Sequence, residues 1–513
     1  MSKGEFDAAL EDALALANEA APAAARRDAA DGPYGSGRAY GAGDAYGATG
    51  PYGANGAATP DSGSGAAPKP ASGPPPAADP PAEPPAPDPA PIAPCPWHTA
   101  RDIARRAVRG PLPPETALLD EALGRTLAAP LTALTDLPSF DTSAMDGWAV
   151  SGPGPWHLDD APGARPGILA GHGPTAALPD GHAIPIATGA RVPAGATAVL
   201  RSEHGEVREV SDGRTRLYAP RPAPPGQDIR PRGQECRRGD RLLAAGALVT
   251  PAVLGLAAAA GYDDLPTYPR PRVDVFVLGD ELLRHGLPHE GRIRDALGPM
   301  LGPWLHALGS EAVAPRHLAD DPDTLYEAIA GSRADVVITT GGTASGPVDH
   351  VHPTLHRLGS EVLVDGVEVR PGHPMLLARI TPHRHLVGLP GNPLAAVSGL
   401  LTLAEPLLRT LCARHAPAAF RMPLWSSVHG HPRDTRLVPV AYRDDDRYGL
   451  MAEPLHFHGP AMLRGIAAAD ALAVIPPGGG DRGTEVELLE LPWPADWSTP
   501  GPALPYGPIG GVE

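Results

Sequence analysis

The sequence predicts a multidomain α/β plus β protein. Three observations carry this. The chain has 513 residues, too many for one hydrophobic core. From residue 272 to about 411, apolar strand-type runs alternate with helical ones, the pattern of a parallel sheet with covering helices. On either side of that region, Gly- and Pro-rich stretches hold only short alternating runs, as in small β domains.

The elements follow in order. Residues 1–95 read as a disordered arm, because "PYGSGRAYGAGDAYGATGPYGANG" and "PPPAADPPAEPPAPDPAP" offer too little apolar surface to offset chain entropy. A helical face begins at Thr99 with Ile103, Ala104 and Val108, and "PPETALLDEALGRTLAAPL" continues it through Leu118, Leu119, Ala122 and Leu123. Between about 150 and 235 the runs "AIPIA" and "ATAVL" mark a small β domain. "RVDVFVLG" is a strand, and "DALGPMLGPWLHAL" is a helix distorted by Pro299 and Pro303. "DDPDTLYEAIAGS" starts a helix with Asp321 as N-cap and Pro322 in its first position. "ADVVITTGG" and "HLVGLPGNP" are strands with turns, and the helix after the second is expected to kink at Pro406. "TRLVPVAYR", "ALAVIPP" and "TEVELLEL" indicate a small β-barrel or sandwich over 416–492, before a disordered tail at 493–513.

Composition narrows the function. The formal charge is −17 and the only lysines are Lys3 and Lys69, so a nucleic-acid partner is not expected. Every cation in the main body is an arginine or a histidine, which leaves no lysine there as nucleophile or phosphate clamp. Cys95, Cys236 and Cys412 are scattered, with no CxxC pair. They indicate a reducing, cytoplasmic setting without disulfide or zinc, and Cys236 and Cys412 read as inert packing residues. The N-terminus carries acids and no apolar core, so it is not a secretory signal. No uninterrupted apolar run reaches about 18 residues, so no membrane span is expected.

Three loops fall at carboxyl ends of predicted parallel strands, where open sheets bind ligands. They are "GDEL" with Asp280, "TTGGTASGPVD" with Gly341, Gly342, Gly346 and Asp349, and "GLPGNP" with Pro390, Gly391, Asn392 and Pro393. The last leads into a helix whose N-terminal N–H groups suit an anion. No loop matches the Walker A or GxGxxG pattern. On one sheet edge, with Asp280 and Asp349 available to a hard cation such as Mg²⁺, they indicate a phosphorylated ligand. In "DHVHPTLH", His350, His352 and His356 read as solvated or helix-start histidines rather than transition-metal ligands, given Pro353 and the mixed spacing.

Six motifs then occur in order: "PSFDTSAMDGWAV", "IATGARVPAGATAVLRSE", "GQDIRPRGQE", "GDEL", "TTGGTASGPVD" and "GLPGNP". Over about 97–492 the chain resembles the molybdopterin molybdenumtransferase family, the MoeA-like proteins that include the E domain of gephyrin. The resemblance implies a homodimer with four subdomains. They are an extended helical connector (96–140 and 236–271), a small β domain (141–235), a molybdopterin-binding three-layer α/β domain (272–415) and a C-terminal β-barrel (416–492). It implies adenylylated molybdopterin and molybdate as substrates, Mg²⁺ as cofactor, AMP as product, and contact with other molybdenum cofactor biosynthesis proteins.

By the same resemblance, Asp146, Glu203, Asp280 and Asp349 are catalytic, with Asp280 and Asp349 at the metal. Asp146 and Glu203 would reach the site from the small β domain across the dimer interface. Thr188, Gly341, Gly342, Ser345, Gly346, Pro390, Gly391, Asn392, Pro393, Arg370 and Arg436 would bind the ligand. This chain departs from the family at Ala344, at Cys236 beside Glu235, and at Asp295-Ala296-Leu297. The largest departure is "VDGVEVRPGHPMLL", where Arg370 and His373 replace lysines. These changes raise the alternative of a non-catalytic paralogue that binds molybdopterin or a nucleotide as a scaffold.

Overall fold

The computed structural model describes residues 93–158, 167–172, 176–210, 214–343, 349–416 and 418–492. The arm 1–92, the tail 493–513 and Ala344, Ser345 and Gly346 of the Gly-rich loop lie outside the described residues.

Order reaches back into the last residues assigned to the arm. A short strand, Cys95–Pro96, pairs in parallel with Val367 and Glu368. Helix α1 follows at Trp97–Arg106 and buries Trp97, Ala100 and Ala104, spaced to share one face. Its indole N–H donates to Thr402 Oγ1 at 3.0 Å, which satisfies both buried groups.

The helical face expected through Leu118–Leu123 is instead a strand, Glu115–Leu118, and one helical turn, Leu119–Ala122. The strand pairs antiparallel with Asp264–Tyr268, which also takes Thr126–Leu127. Pro111, Pro113 and Pro114 deny the segment a helical lead-in, and the distant strand 264–268 supplies partners for its backbone.

The small β sheet has six strands: β1 Gly147–Val150, β2 Trp156–Leu158, β3 His182–Ile186, β4 Ala198–Arg201, β5 Glu206–Glu209 and β6 Thr215–Tyr218. Their order is β5-β6-β2-β3-β1-β4, with only β2 and β3 parallel. Helix α2, Pro251–Ala259, then returns the chain through the connector, with Thr250 capping the Val253 N–H.

The α/β domain contains β7 Arg272–Leu278, α3 Leu297–Ala307, β8 Arg316–Leu318, α4 Pro322–Gly331, β9 Val336–Thr340, α5 Val351–Arg357, β10 Glu361–Asp365, β11 Val367–Arg370, β12 Leu376–Thr381, β13 Arg384–Leu389 and α6 Pro393–Leu411. The sheet runs β8-β7-β9-β13-β12-β10, and Glu311–Ala312 also pairs with β7. The strands β8, β7, β9 and β13 are parallel, while β12 runs against β13 and β10. Alternation along β7 makes three layers. Val273, Val275 and Val277 join α3 and α6, whereas Phe276 and Leu278 join α4 and α5.

Asp321 caps α4 through Thr324 N–H at 2.7 Å, as its sequence implies. Helix α6 is apolar and long enough to cross a membrane by composition, yet 89% of its apolar stretch is buried, so it is a core helix. Its turn Leu400–Ala404 is π-helical. Pro406 has no N–H to give and its ring crowds the carbonyl of Thr402, and the wider turn just before it accommodates both.

The C-terminal strands are β14 Phe420–Pro423, β15 Thr435–Asp445, β16 Gly449–Pro454, β17 Ala471–Ile475 and β18 Glu485–Glu490. They pair antiparallel in the order β16-β15-β17-β18-β14. A bridge from Leu424 to Ala452 brings the end of β14 back to β16, so the sheet curls on itself around Leu424, Val438, Val440 and Ile475. Strand β11 joins β15 in parallel, placing Arg370 opposite Arg436.

Candidate active site

The register of the central strands brings the three loops together. Val277 of β7 lies opposite Thr340 of β9, and Thr340 opposite Leu389 of β13, so all three strands end at one level. Gly341 and Gly342 take left-handed backbone (φ +86° and +64°), which glycine adopts without strain. The Gly341 N–H donates to the Leu389 carbonyl at 2.8 Å. A Cβ on Gly391 would lie 3.7 Å from the Gly341 Cα, and one on Gly341 would lie 3.5 Å from the Leu278 oxygen. The loops after β7, β9 and β13 are therefore in contact.

The N-terminus of α6 differs from expectation. The N–H groups of Leu394 and Ala395 both donate to the Pro460 carbonyl, at 2.9 and 3.2 Å, and that of Ala396 to Asn392. Pro393 has no N–H. The barrel loop thus fills the helix end that the sequence leaves open for an anion. What this loop offers a ligand is the exposed Gly391-Asn392 segment ahead of the helix.

The acidic residues occupy three environments. Asp280 is exposed, two residues past the end of β7. Its Oδ1 accepts the Asp320 N–H at 3.4 Å, and Asp320 Oδ2 accepts the Asp280 N–H at 3.3 Å. Neither carboxylate has a cationic partner among the described residues. Asp320 follows β8 just before the α4 cap, so its place after a parallel strand was a usable signal that the sequence reading missed.

Asp349 does not stand free. Its Oδ1 accepts the His352 N–H at 3.2 Å and its Oδ2 meets His352 Nδ1 at 2.8 Å. The other ring nitrogen, Nε2, lies 3.0 Å from Asp365 Oδ1. His352 is thus not a solvated histidine but a bridge between two carboxylates. The hydrogen bond to Asp365, opposed by burial and aided by the Asp349 charge, pushes its imidazole up to about 9. A value raised above the ordinary 6.5 gives stability that is full below about 6.5 and is lost as pH rises through about 9. Chemical denaturation midpoints are expected to fall between about pH 7 and about pH 10, with a smaller fall in His352→Asn.

Asp295 is buried. Its Oδ1 accepts the N–H groups of Leu297 and Gly298, both at 2.9 Å, which starts α3. Its Oδ2 lies 2.7 Å from His317 Nε2. The carboxylate therefore fixes the loop of Asp280 to the sheet.

Asp146, Thr188 and Glu203 group in the small β domain. Asp146 Oδ1 accepts the Thr188 N–H at 2.7 Å, and all three residues are exposed. Glu203 lies 4.0 Å from Arg201, which is itself held by Asp228. Their hydrogen bonds and ion pairs among the described residues stay within this domain.

A cleft of about 250 Å³ lies beside Arg370, Pro371, Arg436, His458, Gly459 and Pro460. Arg370 Nε donates to the buried Asp434 at 2.7 Å, which leaves half of its side chain exposed. Arg436 donates to the His429 carbonyl. His373 gives its Nδ1 proton to the Val367 carbonyl at 2.7 Å, so its ring is tied to backbone where a lysine would extend. Among the described residues no group of three or more His, Cys, Asp or Glu side chains is set to hold a metal ion.

Known proteins share this arrangement. The pattern of the MoeA N-terminal region (domain I and II) matches residues 95–261, that of a probable molybdopterin binding domain 274–410, and that of the MoeA C-terminal region (domain IV) 421–491. The molybdopterin molybdenumtransferase of Synechococcus elongatus is 35% identical over 62% of this chain and 80% of its own length. That of Nostoc sp. is 31% identical over 74% of this chain and 89% of its own. The crystal structure of the molybdopterin biosynthesis moea protein from Pyrococcus horikosii superposes with a TM-score of 0.61 at 26% identity, covering 78% of this chain and 99% of that one. With its strand-end loops, connector and curled C-terminal sheet in the same order, the chain belongs to the MoeA family of molybdopterin molybdenumtransferases.

Proposed function

We propose that this protein inserts molybdenum into adenylylated molybdopterin with release of AMP, the last step of molybdenum cofactor synthesis. The carrying observation is the contact of the three strand ends at Leu278, Gly341 and Gly391, with Asp280 two residues past the first, together with a cleft that carries two arginines. Hydrolysis of the adenylate breaks one bridging P–O bond and forms one to the water oxygen. Backbone N–H groups of Gly391 and Asn392 receive phosphate oxygens, and the glycines at 341 and 342 let the ligand approach main chain. Arg370 and Arg436 hold an oxyanion, molybdate or phosphate, in their cleft.

Asp280 and Asp320 suit a divalent cation, since each carboxylate accepts the other residue's backbone N–H, neither has a cationic partner among the described residues, and Mg²⁺ takes one or two carboxylates plus phosphate and water. When bound, Mg²⁺ neutralises charge on the phosphoanhydride. The expected ligand Asp349 has both oxygens engaged by His352. It serves better as an oriented carboxylate at the site's edge than as the first metal contact.

The homodimer rests on a separate observation. Helix α2 carries no charge along "PAVLGLAAA" and buries only Ala257, and Leu118 and Leu248 of the same connector are 55% and 45% exposed. Apolar surface of this kind marks an interface. A second copy can then carry Asp146, Thr188 and Glu203 to the α/β loops. Sedimentation should give twice the chain mass, and a mixture of Asp280→Ala with Glu203→Ala protein should regain activity that neither has alone. We place the protein in the cytoplasm, in contact with the enzymes that precede it in cofactor synthesis.

The experiment is AMP release from adenylylated molybdopterin by purified protein with molybdate and Mg²⁺; absence of AMP would sink the proposal. A second reading, a binding protein without turnover, draws on His373 being tied to Val367. If the parent protein is inert and an Arg370→Lys, His373→Lys double variant turns over, that second reading stands.

A further inference from the structure

The histidine between Asp349 and Asp365 belongs to no role assigned so far. An ordinary helix cap would explain only part of it. Asp349 Oδ1 accepts the backbone N–H of His352, and any residue at 352 could donate that bond. The ring makes two further contacts, to Asp349 Oδ2 at 2.8 Å and to Asp365 Oδ1 at 3.0 Å. These need an imidazole, and they join parts of the chain that the cap alone does not join.

The two ends of the bridge matter. Asp349 closes the Gly-rich loop after β9 and opens α5. Asp365 ends β10, and Gly366, at φ +81°, turns the chain into β11, whose last residue is Arg370 of the arginine cleft. One side chain thus ties the loop after β9 to the strand pair that leads to the cleft. The ring is about three-quarters buried (side-chain exposure 27%), and both carboxylates are mostly covered. A carboxylate held by a backbone N–H and a ring nitrogen has one orientation, whereas a free aspartate samples several rotamers.

We infer that His352 is a positioning residue for the reaction, holding the Asp349 carboxylate in the orientation it presents to the phosphoanhydride by bracing it against Asp365. This rests on the reading that Asp349 lies at the reacting end of the ligand. A residue that acts through another's orientation affects the transition state more than ground-state binding, so kcat should fall while KM holds.

The test is steady-state AMP release from adenylylated molybdopterin with Mg²⁺ and molybdate, for Asp349→Asn, His352→Ala, His352→Lys and Asp365→Asn, each with a thermal melt. His352→Ala is expected to lower kcat about 10- to 100-fold with KM within about twofold, the range seen when the partners of active-site ligands are removed. His352→Lys, which restores a cation donor, should recover part of that loss. Asp365→Asn should lower kcat less than His352→Ala does.

An unchanged kcat in His352→Ala, with Asp349→Asn strongly impaired, would overturn the positioning role while leaving Asp349 in place. So would a raised KM at constant kcat, which would make His352 a ligand contact. An unimpaired Asp349→Asn would instead remove the reading of Asp349, and the inference with it. Should His352→Ala fail to fold, Asp365→Asn decides, because the brace predicts a lower kcat there and parental kinetics would refute it.

Discussion

Replacing Asp280 by alanine should slow AMP release by about 100-fold or more and leave the fold intact. The two halves of that expectation have separate causes. The Asp280 side chain makes one long contact, to the Asp320 N–H at 3.4 Å, and its backbone contact to Asp320 does not depend on its own carboxylate. Its removal therefore costs little stability, as for a weakly bonded site near the surface. If Asp280 holds the cation as proposed above, the loss for the ligand is large, because a cation beside a phosphoanhydride contributes several kcal/mol of charge stabilisation. The measurement is AMP formed against Mg²⁺ concentration, alongside a melting curve. A variant that matches the parent at every Mg²⁺ concentration would remove Asp280 from the chemistry.

The second large effect is on stability. Asp295→Ala should destabilise the α/β domain by about 3 kcal/mol, from two lost cap bonds and an unpaired half-buried histidine. Oδ1 is the acceptor for the first two free N–H groups of α3, and Oδ2 holds His317 of β8. The carboxylate packs tightly against the helix start, since a Cβ on Gly298 would come within 2.2 Å of Oδ2. The thermal midpoint should drop by about 5–10 °C. Asp295→Asn keeps one acceptor oxygen for the cap and should lose less. Equal midpoints for the alanine variant and the parent would mean that the cap and His317 find other partners.

Much of the frame was legible beforehand. The strands β7, β9 and β13 are rich in Val, Ile and Leu because both faces of a parallel sheet are covered, and such runs stand out without a partner being known. The α4 start was legible as well, since an aspartate followed by proline acts on neighbours within one turn. The connector was not. Leu118, Leu119, Ala122 and Leu123 carry a helical spacing, but strand 264–268 lies far along the chain and its unpaired backbone takes Glu115–Leu118 as a strand.

The site divides the same way. By itself the sequence determined which chemical groups stand at the sheet edge: glycines that permit left-handed turns, Asp280 and Asp349 after apolar strands, and Arg370 and His373 where the resemblance implies lysines. Those properties belong to single residues and short spacings. The tertiary structure decided which of the groups remain available. The Pro460 carbonyl closes the α6 N-terminus, His352, braced by Asp365, takes hold of Asp349, the Val367 carbonyl accepts a hydrogen bond from His373, and Asp280 has no cationic partner among the described residues. The physical reason is that a hydrogen bond depends on distance in space, and each of these partners is placed by the packing of sheet, helices and barrel rather than by its neighbours in sequence.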